Sequence, residues 1–374
     1  MKSPRSKTRR SPRRTVIAKS DEANAAAVAS AEAVSLRYSS DSEPGYQRLH
    51  RGRGFYFIAP DGKVVRKAAL LERFQKLVIP PAWKRVWICS SAVGHLQATG
   101  LDLRGRKQYR YHERWRRVRD EAKFYNLVSF AEALPKLRRR VNRDFTRRGI
   151  TRERVLATVV RLLETTLIRV GNEEYAQDNG SYGLTTMHDR HVKVRGDAVR
   201  FQFLGKSGKS HDIELHDPRA ARIVRKCQAL PGWQLFEYRD DAGKIHRVTS
   251  SDVNSYLQEI TGEEFTAKDF RTWAGTLLTI EALGRHSKRE SRTSVPKLTV
   301  KAVKHVAEQL GNTQAVCRKS YIHPAVLEAF ADGTLPHIAA RGRRSQTGLS
   351  TAERKLLQFL KRSRKSERRH DRAG

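Results

Sequence analysis

Apolar residues change their spacing part-way along this chain, and that change limits the folds open to it. Between Gly54 and Tyr111 they fall in short runs, Gly54–Ile58, Val86–Cys89, His95–Thr99 and Gln108–Tyr111, broken by Gly- and Pro-containing turns. Such runs read as strands. Pro60, Asp61 and Gly62 form a turn that sets Gly54–Ile58 against Lys63–Val65 as a hairpin, and Ala68–Leu77 reads as a helix ending before Pro80 and Pro81. The charged stretch Glu113–Lys123 reads as a helical hinge, and beyond it the helical period takes over. Arg152–Val170 places Val155, Leu156, Val159, Val160, Leu163 and Leu167 on one stripe, with Gly171 just past its end. A β interruption follows, with strands at His191–Val194, Val199–Leu204 and Ser210–Leu215. Helices resume at Asp252–Glu259, Ala267–Leu283, Thr299–Leu310 and Ala325–Ala331, and a Ser350/Glu353 capping box opens a last one to Lys361.

The fold class is therefore α+β. A small β-rich N-terminal domain, residues 45–118, precedes a mainly α-helical domain with a small antiparallel β-sheet, residues 119–333. Residues 1–44 read as a flexible basic arm whose Ala-rich part, Asp21–Val34, has too few large apolar side chains to dock firmly. Residues 334–374 read as a basic segment with one amphipathic helix.

Charge narrows the partners. The 374 residues carry 75 Lys and Arg against 39 Asp and Glu, a net of +36. The first twenty hold eight bases and no acid, and residues 341–374 a net of +9, which leaves +19 on residues 21–340. A middle that basic repels itself until a polyanion covers it, and release of condensed counterions drives such binding. Nucleic acid is favoured over ribosome or membrane adhesion, and the Ser-Pro-Arg sequences at 3–5 and 11–13 read as a solvated electrostatic anchor. No apolar run approaches the roughly 18 residues of a membrane span, and no apolar leader opens the chain, so a soluble, cytoplasmic, nucleoid-associated protein is expected. Cys89, Cys227 and Cys317, an odd number without a C-x-x-C, indicate neither a disulfide framework nor a cysteine zinc site.

Nucleotide and metal chemistry find little support. Gly205-Lys206-Ser207 and Gly208-Lys209-Ser210 lack the earlier Gly of a P-loop, Arg200 and Phe203 standing there instead. No D-x-D pair exists to hold Mg²⁺, and His188 with His191 lacks a third ligand and reads as polar surface or a DNA contact. The expected cofactor is none.

Phosphoryl transfer without a metal needs a nucleophile, cations to stabilise the charged phosphorus, and an acid for the leaving oxygen. Arg169 lies at a helix end, Lys206 at a hairpin tip, Lys268 and Arg271 one helical turn apart, Asn312 in a loop, and Tyr321 nine residues later. In this order and spacing they resemble the catalytic set of type IB DNA topoisomerases, specifically the short poxvirus-like branch also found in bacteria, over roughly residues 45–332. The resemblance implies a tyrosine recombinase/topoisomerase IB-like core in which Tyr321 is the nucleophile. Arg169 and Arg271 would bind the phosphate, Lys206 and less directly Lys268 would protonate the leaving oxygen, and Asn312 would add a hydrogen bond. Poxvirus enzymes carry His where Asn312 stands; an amide donates a hydrogen bond but exchanges no proton near neutral pH, so this position would stabilise charge rather than act as a base. Arg106, Lys107, Gln108, Tyr109 and Tyr111 resemble the family's DNA-reading segment, and Tyr175 joins the DNA-binding set. The implied activity is relaxation of supercoiled duplex DNA through a 3′-phosphotyrosine, without ATP or metal, by a monomer clamped around DNA.

Two rivals remain. A site-specific tyrosine recombinase shares the core, but its central motif usually reads His-x-x-Arg where Lys268 and Arg271 stand, and its N-terminal domain is helical. A nucleoid-packing protein would have no need of Tyr321.

Overall fold

The computed structural model describes residues 28–52, 54–103, 105–286, 294–337 and 347–370. The first 27 residues, with both Ser-Pro-Arg sequences, lie outside the described residues, as does Arg341–Arg344. Contacts divide the chain into two units, Met1–Lys123 and Phe124–Gly374.

The first unit is a five-stranded antiparallel sheet in the order β2-β1-β3-β4-β5. Its strands are β1 (Gly45–Arg51), β2 (Gly54–Ile58), β3 (Lys84–Cys89), β4 (Leu96–Leu101) and β5 (Lys107–Tyr111). Helix α1 (Ala68–Lys76) sets Phe74 against Val86, Ile88 and Ala98. The expected hairpin forms but is short: the Val65 amide donates to Phe57 O and the Ala59 amide to Lys63 O, each at 2.9 Å. Gly54–Ile58 pairs along its length with β1, Gln47 opposite Ile58 and Arg51 opposite Gly54, whereas Val64 makes a single bridge to Ile58. Part of the basic arm is corrected, because residues 28–44 are anchored to this sheet. Ala31 and Leu36 are buried against Trp115, Arg37 bridges to Gly94, and the Ser39 amide donates to His95 Nδ1 at 2.9 Å. A small apolar contact and a few backbone bonds dock a stretch whose composition promised little.

Helix α2 (Glu113–Phe145) passes without a break through the stretch read as a hinge and carries the boundary between the units. In the second unit follow α3 (Arg152–Thr166) and α4 (Glu173–Asn179), then the antiparallel sheet β6 (Val192–Arg195), β7 (Ala198–Leu204), β8 (Ser210–His216). Helix α5 (Pro218–Gln228) and the two-stranded pair β9 (Glu237–Arg239), β10 (Ile245–Arg247) lead into the C-terminal helices. These are α6 (Ser250–Thr261), α7 (Ala267–Leu283), α8 (Ser294–Gln309), α9 (Gln314–Tyr321), α10 (Pro324–Ala331) and α11 (Thr351–His370). One core joins Leu134 and Leu137 of α2, Leu156 and Leu163 of α3, Phe201 of β7, Phe270 and Trp273 of α7, and Leu356 of α11. Thirteen residues of helix α7 are buried, which fixes the direction of Arg271 and the other groups on its inner face. Capping boxes at Thr249/Asp252 and Thr266/Asp269 start α6 and α7. All three cysteines are buried and free, and no helix among the described residues is long and apolar enough to cross a membrane.

Candidate active site

The Arg152–Val170 stripe continues past the end of its helix. Helix α3 stops at Thr166, and Leu167 turns the chain at φ 59°, a left-handed conformation unusual for a branched residue. Arg169 therefore sits on an extended segment and not at a helix end. Its carbonyl accepts from the Leu184 amide at 2.9 Å, and Val170 O accepts from Thr185 at 2.7 Å, so the segment is held along the short turn Leu184–Thr186. The cause of the early stop is tertiary. Arg271, reaching from the first turns of α7 and only 4% exposed, donates to the carbonyls of Leu167 and Leu310, the latter at 2.6 Å. One guanidinium thereby ties α7 to the start of the Arg169 segment and to the end of α8.

Five separate stretches then line one cavity of about 630 Å³. Arg169, Tyr175, Lys206, Lys268, Arg271, Asn312 and Tyr321 all face it. Of the described residues lining it, five are Arg or Lys, counting Lys209, and none is Asp or Glu. Arg169 donates to Asn312 Oδ1 and, at 3.3 Å, to Gly311 O. With its oxygen so occupied, the amide turns a donor, Nδ2, into a buried position where it has no hydrogen-bond partner. The Arg271 guanidinium lies 5.3 Å from the centre of the Tyr321 ring, and Lys206 Nζ lies 5.4 Å from that of Tyr175. Burial, with Arg169 close by, pushes Arg271 down to about 10, the phenol of Tyr321 acting the other way. Burial also lowers Arg169. Two guanidiniums held together out of water, without a counter-charge in the cavity, form a seat for an anion.

Tyr321 ends α9, a helix capped by the Thr313 hydroxyl. Its main chain is fixed from α7: Thr276 Oγ1 lies 3.3 Å from Tyr321 O and accepts from the His323 amide at 3.1 Å. Gly275 lies beneath the same residue. Neither Gly275 nor Thr276 was expected from the sequence, although a Gly inside a strong helix pattern is a signal of close approach.

The residues read as a DNA-binding segment lie in the first unit on β5 and the turn before it. Asp102 accepts from Arg106 Nε at 2.9 Å and Gln108 Nε2 at 3.0 Å, and Lys107 pairs with Asp41 at 2.6 Å. Tyr109 and Tyr111 stack, ring centres 6.0 Å apart, on one face of the strand, while Gln108 falls on the other. His188 and His191 sit edge to face, 5.5 Å apart, with the Tyr182 ring 4.3 Å from His191. Among the described residues no three His, Cys, Asp or Glu side chains gather as metal ligands.

Comparison with known proteins places these features in a family. The family model "Eukaryotic DNA topoisomerase I, catalytic core" matches residues 112–341, and "Bacterial DNA topoisomerase IB, N-terminal domain" matches residues 54–102. DNA topoisomerase 1B of Acanthamoeba polyphaga mimivirus is 35% identical over 283 residues, covering 74% of this chain and 84% of that protein. DNA topoisomerase 1B of Vaccinia virus is 23% identical over 256 residues, covering 67% and 76%. A solved structure of XerH site-specific recombinase bound to difH substrate matches 54% of this chain and 52% of its own at 14% identity, with a TM-score of 0.33, too low to bear on function. With a topoisomerase catalytic core matched over more than half its length, and a relative that close over most of both sequences, the chain belongs to the type IB DNA topoisomerases, enzymes that relax DNA.

Proposed function

We propose that the cavity binds one backbone phosphate of duplex DNA and that Tyr321 attacks it. The observation that carries this reading is the gathering in one cavity of the Tyr321 phenol with five cations and, among the described residues, no carboxylate. Tyr321 Oη gives up its proton to water and forms a bond to phosphorus as the bond to the 5′ oxygen breaks, leaving a 3′-phosphotyrosine and a 5′-hydroxyl. Arg169 and Arg271 hold the non-bridging oxygens, and Asn312 Nδ2 donates to one of them. Lys206 protonates the departing 5′ oxygen, with Lys268 placed to assist. One phosphodiester replaces another, so little free energy is lost and no nucleotide is consumed. A phenol is a better leaving group than an alkyl hydroxyl and departs readily when the 5′-hydroxyl returns. Between the two steps the free end rotates and torsion is released.

The same reading has the chain acting as a monomer on duplex DNA, without nucleotide or metal, at the nucleoid of a bacterial cell. Arg106, Lys107, Gln108, Tyr109, Tyr111 and Tyr175 supply further contacts to the duplex, Asp41 and Asp102 holding the cations of the first unit in place until phosphate replaces them.

The test is to trap the adduct with denaturant in EDTA and identify by mass spectrometry the residue and the strand end it carries. Adduct on Tyr321 at a 3′ end is expected, and none in Tyr321→Phe. Relaxation with a strict need for ATP and Mg²⁺, or adduct on another residue, overturns the proposal. Cutting only at a defined site by an assembled tetramer would favour the recombinase reading instead.

A further inference from the structure

The ring of His211, on β8, lies between two backbones that are far apart in sequence. On one side is Gly205, which follows β7 and immediately precedes Lys206. A Cβ placed on Gly205 would stand 2.6 Å from His211 Cδ2 and Nε2. On the other side is Gly311, which immediately precedes Asn312. A Cβ there would press on His211 Cε1 still more closely, and Gly311 adopts φ 60° besides. The face of the imidazole is stacked on Phe203, ring centres 4.9 Å apart and planes within 14°. Both neighbours of the ring are thus reduced to bare backbone, and each leads directly into a cavity side chain.

We propose that His211 is a positioning residue that sets the distance between the turn carrying Lys206 and the loop carrying Asn312. The proposal rests on the roles given above to those two side chains. A flat ring stacked on Phe203 and packed about its Nε2 end against both glycine backbones leaves neither the hairpin nor the loop room to close on the other. The separation of acid and phosphate donor is then built in before DNA arrives, which is where orientation contributes to rate. The ring's charge matters too. Arg169 and Arg271 stand nearby on other elements and Lys209 on the hairpin; burial, with these cations, holds the imidazole down to about 4. At neutral pH the spacer is uncharged and does not repel the guanidiniums.

The experiment measures single-turnover formation of the denaturant-trapped adduct on a duplex oligonucleotide whose downstream fragment, bearing the 5′-hydroxyl, dissociates, at increasing enzyme concentration. This gives a maximal rate and a half-saturating concentration for the full chain and for His211→Ala and His211→Phe. His211→Ala is expected to lower the maximal rate roughly 10- to 100-fold while half-saturation stays within about twofold. His211→Phe, which restores an uncharged ring, is expected to recover most of that rate. A parent-like maximal rate in His211→Ala overturns the proposal, and so does a defect confined to half-saturation or a His211→Phe no faster than the alanine variant. If His211→Ala does not fold, His211→Leu, apolar but not planar, takes its place with the same outcomes. Tyr321→Phe is run alongside. Adduct in that variant sinks the reading of the site itself, whereas its absence together with a parent-like His211→Ala sinks the positioning role alone.

Discussion

Gly275 and Tyr321 are in backbone contact: a Cβ on Gly275 would stand 2.5 Å from the carbonyl oxygen of Tyr321 and 3.1 Å from its Cβ. The helix that carries Arg271 thus also serves as the floor on which the nucleophile rests. Gly275→Ala adds a methyl where none fits, and a helix interior otherwise gains about 1 kcal/mol from that change. Because α9 ends at Tyr321 while α7 is buried along its length, the tyrosine is the part that yields. Adduct formation is expected to fall by roughly 100-fold with DNA affinity kept. Parent-like cleavage by Gly275→Ala would show that the approach has no bearing on the nucleophile.

Asn312 makes a prediction about sign. Its oxygen already accepts from Arg169, so only the Nδ2 donor is left for phosphate. Asn312→Ala removes that donor and is expected to slow cleavage by about 10²-fold or more. Asn312→Asp keeps the shape but sets a carboxylate beside Arg169, neutralising the seat and repelling the phosphate, and should be slower still. Asn312→His, which can donate, should be the least damaged of the three. Single-turnover rates on one duplex give the order, and an aspartate variant faster than the alanine one contradicts the charge-stabilising role.

Periodicity was enough to find β7, β8 and α7, whose alternation or stripe is set by burial of their own apolar residues. It did not find β1, because the inward residue there is Arg48, a buried cation that donates to the carbonyls of Ile79, Pro80 and Trp83. It extended α3 too far, because the stop comes from Arg271 capturing the Leu167 carbonyl across more than a hundred residues. The residues that face the cavity were legible as spaced cations and a tyrosine. What positions them was not, since Gly275 under Tyr321 and His211 between two glycines are pairings that exist only once the chain has folded.

Three half-buried histidines give a pH window. Burial holds His191, His211 and His323 each down to about 4. In the unfolded chain they take up protons near pH ~6.5, so between that value and about 4 the unfolded state binds more protons and stability falls as pH falls. Glu353 and Asp144, lowered by their partners, titrate below the usual carboxylate range and add nothing in the upper part of this window. The thermal midpoint should therefore drop steadily from pH 6.5 toward 5, by roughly 2–4 °C for each kcal/mol lost. A flat midpoint across that interval contradicts the burial of these rings.

The C-terminal helix α11 lies beyond residues 112–341, which match the topoisomerase core, yet it is fastened to that core by a buried charge cluster. Arg138 on α2 donates to Glu353 Oε1 at 2.6 Å and Oε2 at 3.0 Å, to Glu164 at 2.8 Å, and to the Gly348 carbonyl. Trp273, two residues after Arg271, donates to Glu353 at 3.2 Å. Burial alone would raise the Glu353 carboxyl; the hydrogen bonds and charge of Arg138 outweigh it and keep the group ionised. Glu353→Ala takes two hydrogen bonds from Arg138, leaving it Glu164 and the Gly348 carbonyl, removes the acceptor of the buried indole, and is expected to cost about 3 kcal/mol in urea unfolding. Replacing the pair together, as Arg138→Met with Glu353→Leu, removes both charges but also takes Arg138 from Glu164, and should recover part of that loss, since a well-packed apolar pair does about as well as a buried ionic one. Because α7 carries Trp273 and Arg271 on the same rigid rod, relaxation should fall in Glu353→Ala and return in part in the double variant. A loss below about 1 kcal/mol in the single variant would mean that α11 is only loosely attached and that the cluster does not stabilise the helix bearing Arg271.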